Sequence, residues 1–323
     1  MARPQVFLTR RWPDAVEARL MERYDVVVNR SDRQLGLFQF REALRRYDAV
    51  LPCATDHFTE ETLDVPGARA RILASMGTGH GHICTAAAAR MGMIVTHTPD
   101  VVSECIADLA MTLMLMVARR TGEGEREIRA GRWTGWRPTH LVGTRVSGKV
   151  LGLVGFGRVG QAVARRAHHG FGMDVRVVDP RTIPAGTLAA TGARQVASLA
   201  ELLPQCDVVS LHCPGGPQTR QMIGGAEFDL MRPGAFLVNT ADAGLIDEHA
   251  LIQALSFDTI GGAALDLCDG GPRIAPALLE CDNLVMLPQM GNATREAREA
   301  MGERVMANLD DFFEGRDPRD RVT

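Results

Sequence analysis

The chain has 323 residues, 46% of them hydrophobic, with 36 Lys and Arg against 39 Asp and Glu for a net charge of -3. That length suits two ordinary domains, and a near-balanced charge with no basic run excludes the one-sign field that would hold nucleic acid or an anionic membrane. Seven cysteines without a C-x-x-C pair read as reduced thiols in a cytoplasm, and the most apolar window, Leu109 to Ala118, has about half of the roughly 20 residues a bilayer span requires.

The chain starts on a short apolar run rather than a signal-like segment. Strand candidates in the first hundred residues are Gln5–Leu8, Asp25–Val28, Ala49–Pro52, Arg71–Ser75 and Met93–Thr96, with amphipathic stretches such as Asp14–Arg23 and Phe40–Arg46 between them. Such alternation predicts a parallel sheet with helices on its faces. A long helix follows, capped by Ser103, with Ile106, Leu109, Ala110 and Leu113 on one side. Gly122 to Gly143 holds Trp133 and Trp136 with several Arg and Gly and no clear period, which reads as an irregular arm at a domain boundary.

A second alternating set supplies six strand candidates: Val150–Val154, Asp174–Val178, Val208–Leu211, Ala235–Asn239, Gly261–Leu265 and Asn283–Met286. Helices fit between them at Gly157–His168, Leu199–Leu203 and Glu248–Leu255. Six is the strand count of a complete dinucleotide-binding sheet. The last stretch, Ala293 to Phe313, reads as one amphipathic helix that returns to the first domain. The fold class is therefore α/β: a Rossmann domain beside a second parallel-sheet domain.

Gly155-Phe156-Gly157-Arg158-Val159-Gly160 follows the apolar strand Val150–Val154 and opens a helix, the context that gives a G-x-G-x-x-G its meaning. Gly155 permits the tight turn, Gly157 lets the backbone approach a pyrophosphate, and Gly160 lets helix and strand pack closely. The helix N-terminus adds free N–H groups and partial positive charge. Asp179 lies 19 residues past Gly160, at the end of the next strand, where a carboxylate accepts from ribose hydroxyls and repels a 2′-phosphate. The pattern points to NAD, with the nearby Arg181 working against that preference.

Several segments around this site resemble the D-2-hydroxyacid dehydrogenase family. Gly148 to Gly155 looks like its GKxLGIxG run, Ser210-Leu211-His212-Cys213-Pro214 its SLHCP segment, Met231 to Thr240 its MKPGAxLVNT segment, and Ala264-Leu265-Asp266 its ALD strand end. The resemblance implies a flavodoxin-like substrate domain from residues 1–103 and 292–323. It also implies a Rossmann domain from 104–291, with the site in the cleft between them and a dimerisation arm over about 104–143 that makes a homodimer. It further implies that Arg158 and Val159 present loop amides to the pyrophosphate, and that Pro214 lies beside the adenosine and Thr219 near the phosphates. Thr240 would lie beside the nicotinamide and Asp266 would hold its carboxamide. The amides of Thr78 and Gly79, in Met76-Gly77-Thr78-Gly79-His80, would hold a substrate carboxylate.

The family's catalytic set is not carried over. Asp242 stands where the family has the Arg of NTARG, Gly271 where it has a Glu before a Pro, and Gln289 where it has the His of PHxG. A Gln amide does not titrate near neutral pH and relays no proton, and Asp repels a carboxylate that Arg would clamp. Substitute groups are His80, in a glycine-rich loop with His82, and Asp269, two residues before Gly271. Three functions follow: an oxidoreductase with altered catalytic groups acting on a small molecule, a dinucleotide-using enzyme with no net redox change, or a silent NAD(H) sensor.

Overall fold

A computed structural model describes residues 3–266 and 274–323. The described chain divides into two compact units, Met1–Val102 with Asn292–Thr323, and Ser103–Gly291. Unit one runs β1 (Gln5–Leu8), α1 (Asp14–Arg23), β2 (Asp25–Val28), α2 (Leu37–Arg46), β3 (Ala49–Leu51), α3 (Glu60–Leu63), β4 (Ile72–Ala74), α4 (Thr85–Arg90) and β5 (Ile94–Thr96). Its five strands are parallel in the order β2-β1-β3-β4-β5, a flavodoxin-like order. The inner strands β3 and β4 are buried along their whole length, whereas β2, at the edge, alternates exposed and half-buried residues. One helical layer buries Phe40, Leu44, Phe58 and Leu63 against Val50, Leu73 and Val95.

Unit two runs α5 (Ser103–Ala118), α6 (Thr121–Arg129), β6 (Val150–Val154), α7 (Arg158–Arg165), β7 (Asp174–Val178), α8 (Ala185–Thr191), β8 (Ala193–Gln195), α9 (Leu199–Leu202), β9 (Val208–Leu211), α10 (Gly225–Leu230), β10 (Phe236–Asn239), α11 (Glu248–Ser256), β11 (Gly262–Leu265), α12 (Pro276–Leu279) and β12 (Leu284–Met286). All strands are parallel in the order β12-β11-β10-β9-β6-β7-β8, and near-continuous burial of β6, β9, β10 and β11 fits a sheet covered on both faces. The last helix, α13 (Arg295–Phe313), belongs to unit one. There Gly302 lies so close to α1 that a Cβ on it would fall 2.3 Å from Val16 Cγ1. The C-terminal residues then cover the β5 edge: Val322 N–H donates to Val95 O, and Val95 N–H donates to the Thr323 hydroxyl.

Four features depart from the sequence reading. The second sheet has seven strands, not six; β8 is an Ala-Arg-Gln edge strand without a fully buried residue, so no apolar run announces it. The segment read as an irregular arm begins with α6, whose Gly122 and Gly124 break the period and which buries none of its residues, so it has no apolar stripe to read. Ser103 is the first residue of α5 rather than its cap. The helix expected to run to His168 is α-helical only to Arg165, and one π turn, Arg166–Gly170, completes it.

Candidate functional site

In unit two the chain leaves β6 for β7 and β8 on one side and resumes at β9 on the other. The loop after β6 therefore sits at the topological switch point, where open α/β sheets bind ligands. Gly155 takes φ +94°, and a Cβ on it would stand 2.7 Å from Cys213 N. A Cβ on Gly160 would stand 2.5 Å from the Gly155 carbonyl oxygen, whereas one on Gly157 would meet nothing within 4 Å. Gly155 thus lets the loop close onto the end of β9, Gly160 lets α7 close onto the loop, and Gly157 leaves its backbone face open. Gly157 occupies the capping position of α7 and has no side chain to satisfy the first-turn amides, where Arg158 and Val159 lie. The residues present fit a dinucleotide pyrophosphate.

Asp179, just after β7, is tied into the glycine loop. Its Oδ2 accepts from Phe156 N–H at 2.8 Å, and its Oδ1 accepts from Arg181 N–H at 3.0 Å. The Arg181 guanidinium donates to both oxygens, at 2.9 and 3.1 Å. The Asp179 side chain is 4% exposed and that of Arg181 73%. The Arg181 hydrogen bonds and the two backbone N–H groups hold the carboxyl down at about 2. Asp179 is therefore also a brace for the glycine loop, which its position in the sequence did not reveal.

At the end of β9, His212 Nε2 meets the buried Ser210 hydroxyl at 2.9 Å while Nδ1 is buried without a partner among the described residues; burial pushes this imidazole down to about 4. Pro214 is exposed and its carbonyl accepts from the Thr219 hydroxyl at 2.8 Å. The Thr240 hydroxyl, after β10, is buried without a partner among the described residues, an open polar position of the kind a bound carboxamide or ribose fills.

The positions at which the sequence departs from the family motifs, Asp242 and Gln289, are held by local backbone geometry. Asn239 is buried and pins the turn, accepting from Ala241 N–H at 3.0 Å and donating to Asp242 O at 2.7 Å. Asp242 Oδ1 accepts from Gly244 N–H at 2.8 Å and caps the short 3-10 turn Ala243–Leu245. Its carboxyl lies against Gly215, where a Cβ would fall 2.3 Å from Asp242 Cγ. Gln289 has φ +57° and an exposed side chain that makes no hydrogen bond among the described residues. Asp266 is 2% exposed, accepting from Met290 N–H at 2.6 Å and Gly291 N–H at 2.7 Å. Burial raises its carboxyl above the ordinary range, against the pull of those two bonds. Asp269 and Gly271 lie outside the described residues.

In unit one the loop after β4 leaves the N–H groups of Thr78, Gly79 and His80 without partners among the described residues. Successive free amides of this kind make an anion-binding concavity. The loop is held from beneath. Gly77 O accepts from Thr98 N–H at 2.8 Å, and His82 Nε2 meets the buried Ser75 hydroxyl at 3.0 Å. Burial lowers the His82 imidazole, helped by His57 and His80 and opposed by Asp56. His97, which sequence reasoning did not single out, places Nδ1 2.8 Å from Thr78 O. Among the described residues no group of three or more His, Cys, Asp or Glu could hold a metal ion, and no helix is long and apolar enough to cross a membrane.

Comparison with known proteins agrees with these features. The sequence model for the D-isomer specific 2-hydroxyacid dehydrogenase, NAD binding domain, matches residues 111–291, more than half of the chain. A glyoxylate reductase of Thermococcus litoralis is 37% identical over 324 residues, covering 99% of this chain and 97% of its own. A glycerate dehydrogenase of Hyphomicrobium methylovorum is 32% identical over 317 residues, covering 98% of each. Among solved structures, the TT0316 protein of Thermus thermophilus superposes with a TM-score of 0.90 at 37% identity, covering 99% of this chain and 100% of its own.

Proposed function

The chain belongs to the D-isomer specific 2-hydroxyacid dehydrogenase family and is a nicotinamide-dinucleotide-dependent oxidoreductase, and from that premise we propose that it acts on a small carboxylate-bearing substrate with an altered catalytic set. The dinucleotide supplies or accepts a hydride when bound. Unit two holds its phosphates on the Gly155–Gly160 turn and braces that turn through Asp179. Unit one holds the substrate carboxylate on the free amides of Thr78 and Gly79. NAD is the preferred cofactor, because the Asp179 carboxylate disfavours a 2′-phosphate. A homodimer joined through the 104–143 arm is part of the same reading, supported by Trp133 and Trp136 at 53% and 82% exposure.

The observation that carries the altered set is the state of two positions: Asp242 caps its own turn, and Gln289 offers an amide that cannot exchange a proton at neutral pH. Glyoxylate, hydroxypyruvate and pyruvate should therefore be reduced slowly with NADH, below roughly 1 s⁻¹, the low end of the usual enzyme range. Asp242→Arg, Gly271→Glu and Gln289→His together should raise kcat/KM on at least one of them by about a hundredfold to ten-thousandfold. Wild-type turnover at ordinary enzyme rates on any of the three would remove the altered set from the proposal. Tight NADH binding with no turnover on any small carbonyl acid would favour a silent sensor instead.

A further inference from the structure

Four of the nine histidines, His57, His80, His82 and His97, lie on loops at the C-terminal edge of the unit-one sheet. They differ in what holds them. His57 is exposed. His82 is half-buried, lowered by burial, and engaged with the Ser75 hydroxyl, so it serves the loop as a neutral support. A Cβ on Gly77 would lie 3.6 Å from His82 Cε1 and 3.3 Å from Ser75 Oγ, which places both under the loop rather than on its open side.

His97 is held differently. Its Nδ1 lies 2.8 Å from Thr78 O. A carbonyl oxygen only accepts, so Nδ1 carries the hydrogen and the tautomer is fixed. Nε2 is then the atom that gains or loses a proton. The ring meets that of His80 edge to face, with centroids 5.7 Å apart and planes at 87°. Thr78 therefore joins two things: its N–H is one of the open amides, and its carbonyl orients an imidazole.

We propose that His97, whose ring meets that of His80 beside the open amides of Thr78 and Gly79, is the cation for the substrate carboxylate, in place of the group lost at Asp242. The inference rests on the proposed carboxylate-binding role of that loop. The titratable groups around the pair are Asp320, engaged by Arg304 at 2.6 and 2.7 Å, and, next to His80, the His82 ring with Asp56 and His57 beyond it. Asp320 interacts electrostatically with His97, but its carboxylate is already paired to a guanidinium and to Asn308 at 2.9 Å.

The test uses oxamate, an unreactive carboxylate with an amide in place of the ketone, bound to the full-length protein loaded with NADH. Calorimetry in buffers of different ionisation enthalpy counts protons taken up on binding. Near pH 8, where a free imidazole is mostly neutral, wild type should take up close to one proton per oxamate. His97→Asn keeps an N–H for Thr78 O but cannot titrate. It should abolish the uptake and weaken oxamate about tenfold or more, with NADH affinity within twofold of wild type as the check on folding. His80→Asn, at an exposed position, should keep the uptake. Oxamate binding with the same proton count in wild type and His97→Asn overturns the inference and leaves the carboxylate-binding loop standing. Loss of the uptake in His80→Asn but not in His97→Asn overturns the assignment to His97. NADH binding without any oxamate binding overturns the loop's proposed role and the inference with it.

Discussion

The two sheets share a parallel architecture and each has a switch point, yet the two switch points are built in opposite ways. In unit two, between β6 and β9, glycines leave the C-terminal edge open: a Cβ on Gly157 would meet nothing within 4 Å. In unit one, between β1 and β3, side chains fill it. The Thr9 hydroxyl donates to Asp56 Oδ2 at 2.5 Å, Cys53 N–H donates to the same oxygen at 2.8 Å, and Thr9, Asp56 and Trp12 are all buried. The open amides of unit one lie farther along its sheet, after β4. Topology makes a place where a ligand can sit, and residue size at that place decides whether one does.

The largest expected effect breaks the open switch point. Gly155→Val puts a branched side chain at φ +94° and within 2.7 Å of Cys213 N, a backbone atom that cannot swing aside. Strain of order 1–3 kcal/mol from the backbone alone, with the loop pushed off β9, should weaken NADH by about a hundredfold or more. Calorimetric titration reads it, and affinity within threefold of wild type would show that the turn can re-form without the glycine.

A smaller effect is expected at the filled switch point. Asp56→Ala removes the acceptor for Cys53 N–H and leaves that group without its partner. The cost should be about 1–3 kcal/mol, seen as faster amide hydrogen exchange in β1 and β3. NADH affinity, a property of unit two, should not change. If NADH binding fell with unit-one protection, the two units would be coupled more tightly than their separate cores suggest.

The same contrast explains what could be read in the sequence. Glycines with tight geometry leave a spaced signature, so Gly155, Gly157 and Gly160 were legible, as was Asp179 at the end of the following strand. The long apolar strands were legible because burial on both faces removes polar residues from them. The helix α6 and the strand β8 were not, since neither buries an apolar face. The roles of His97 and Asp56 were invisible for another reason. His97 acts through a hydrogen bond to Thr78, 19 positions away, and Asp56 ties Thr9, 47 positions away, to the Cys53 backbone, and no periodicity records such pairings. Asp242 was legible as a departure at a motif position, but its capping of Gly244 depends on the local turn.

The smallest expected effect concerns which dinucleotide the open switch point prefers. Asp179 is fixed by Phe156 N–H and Arg181 N–H, and its carboxyl is held down to about 2, chiefly by the Arg181 hydrogen bonds. It is therefore ionised throughout the neutral range, and the variable element is the guanidinium lying over it. With Arg181 in place, the pair presents little net charge to a 2′-phosphate, which softens the discrimination that Asp179 alone would impose. Arg181→Ala uncovers the carboxylate. NADPH should then bind about threefold to fivefold more weakly, the scale of an exposed ion pair, while NADH changes by less than twofold. Asp179→Ala should move the ratio the other way, narrowing the gap between the two dinucleotides. Because Arg181 is 73% exposed, its contribution should shrink at high ionic strength, where a Debye length of about 3 Å at 1 M salt screens it. Titrations of both dinucleotides at low and high salt check this, and an unchanged NADPH affinity in Arg181→Ala would place the guanidinium away from the ribose.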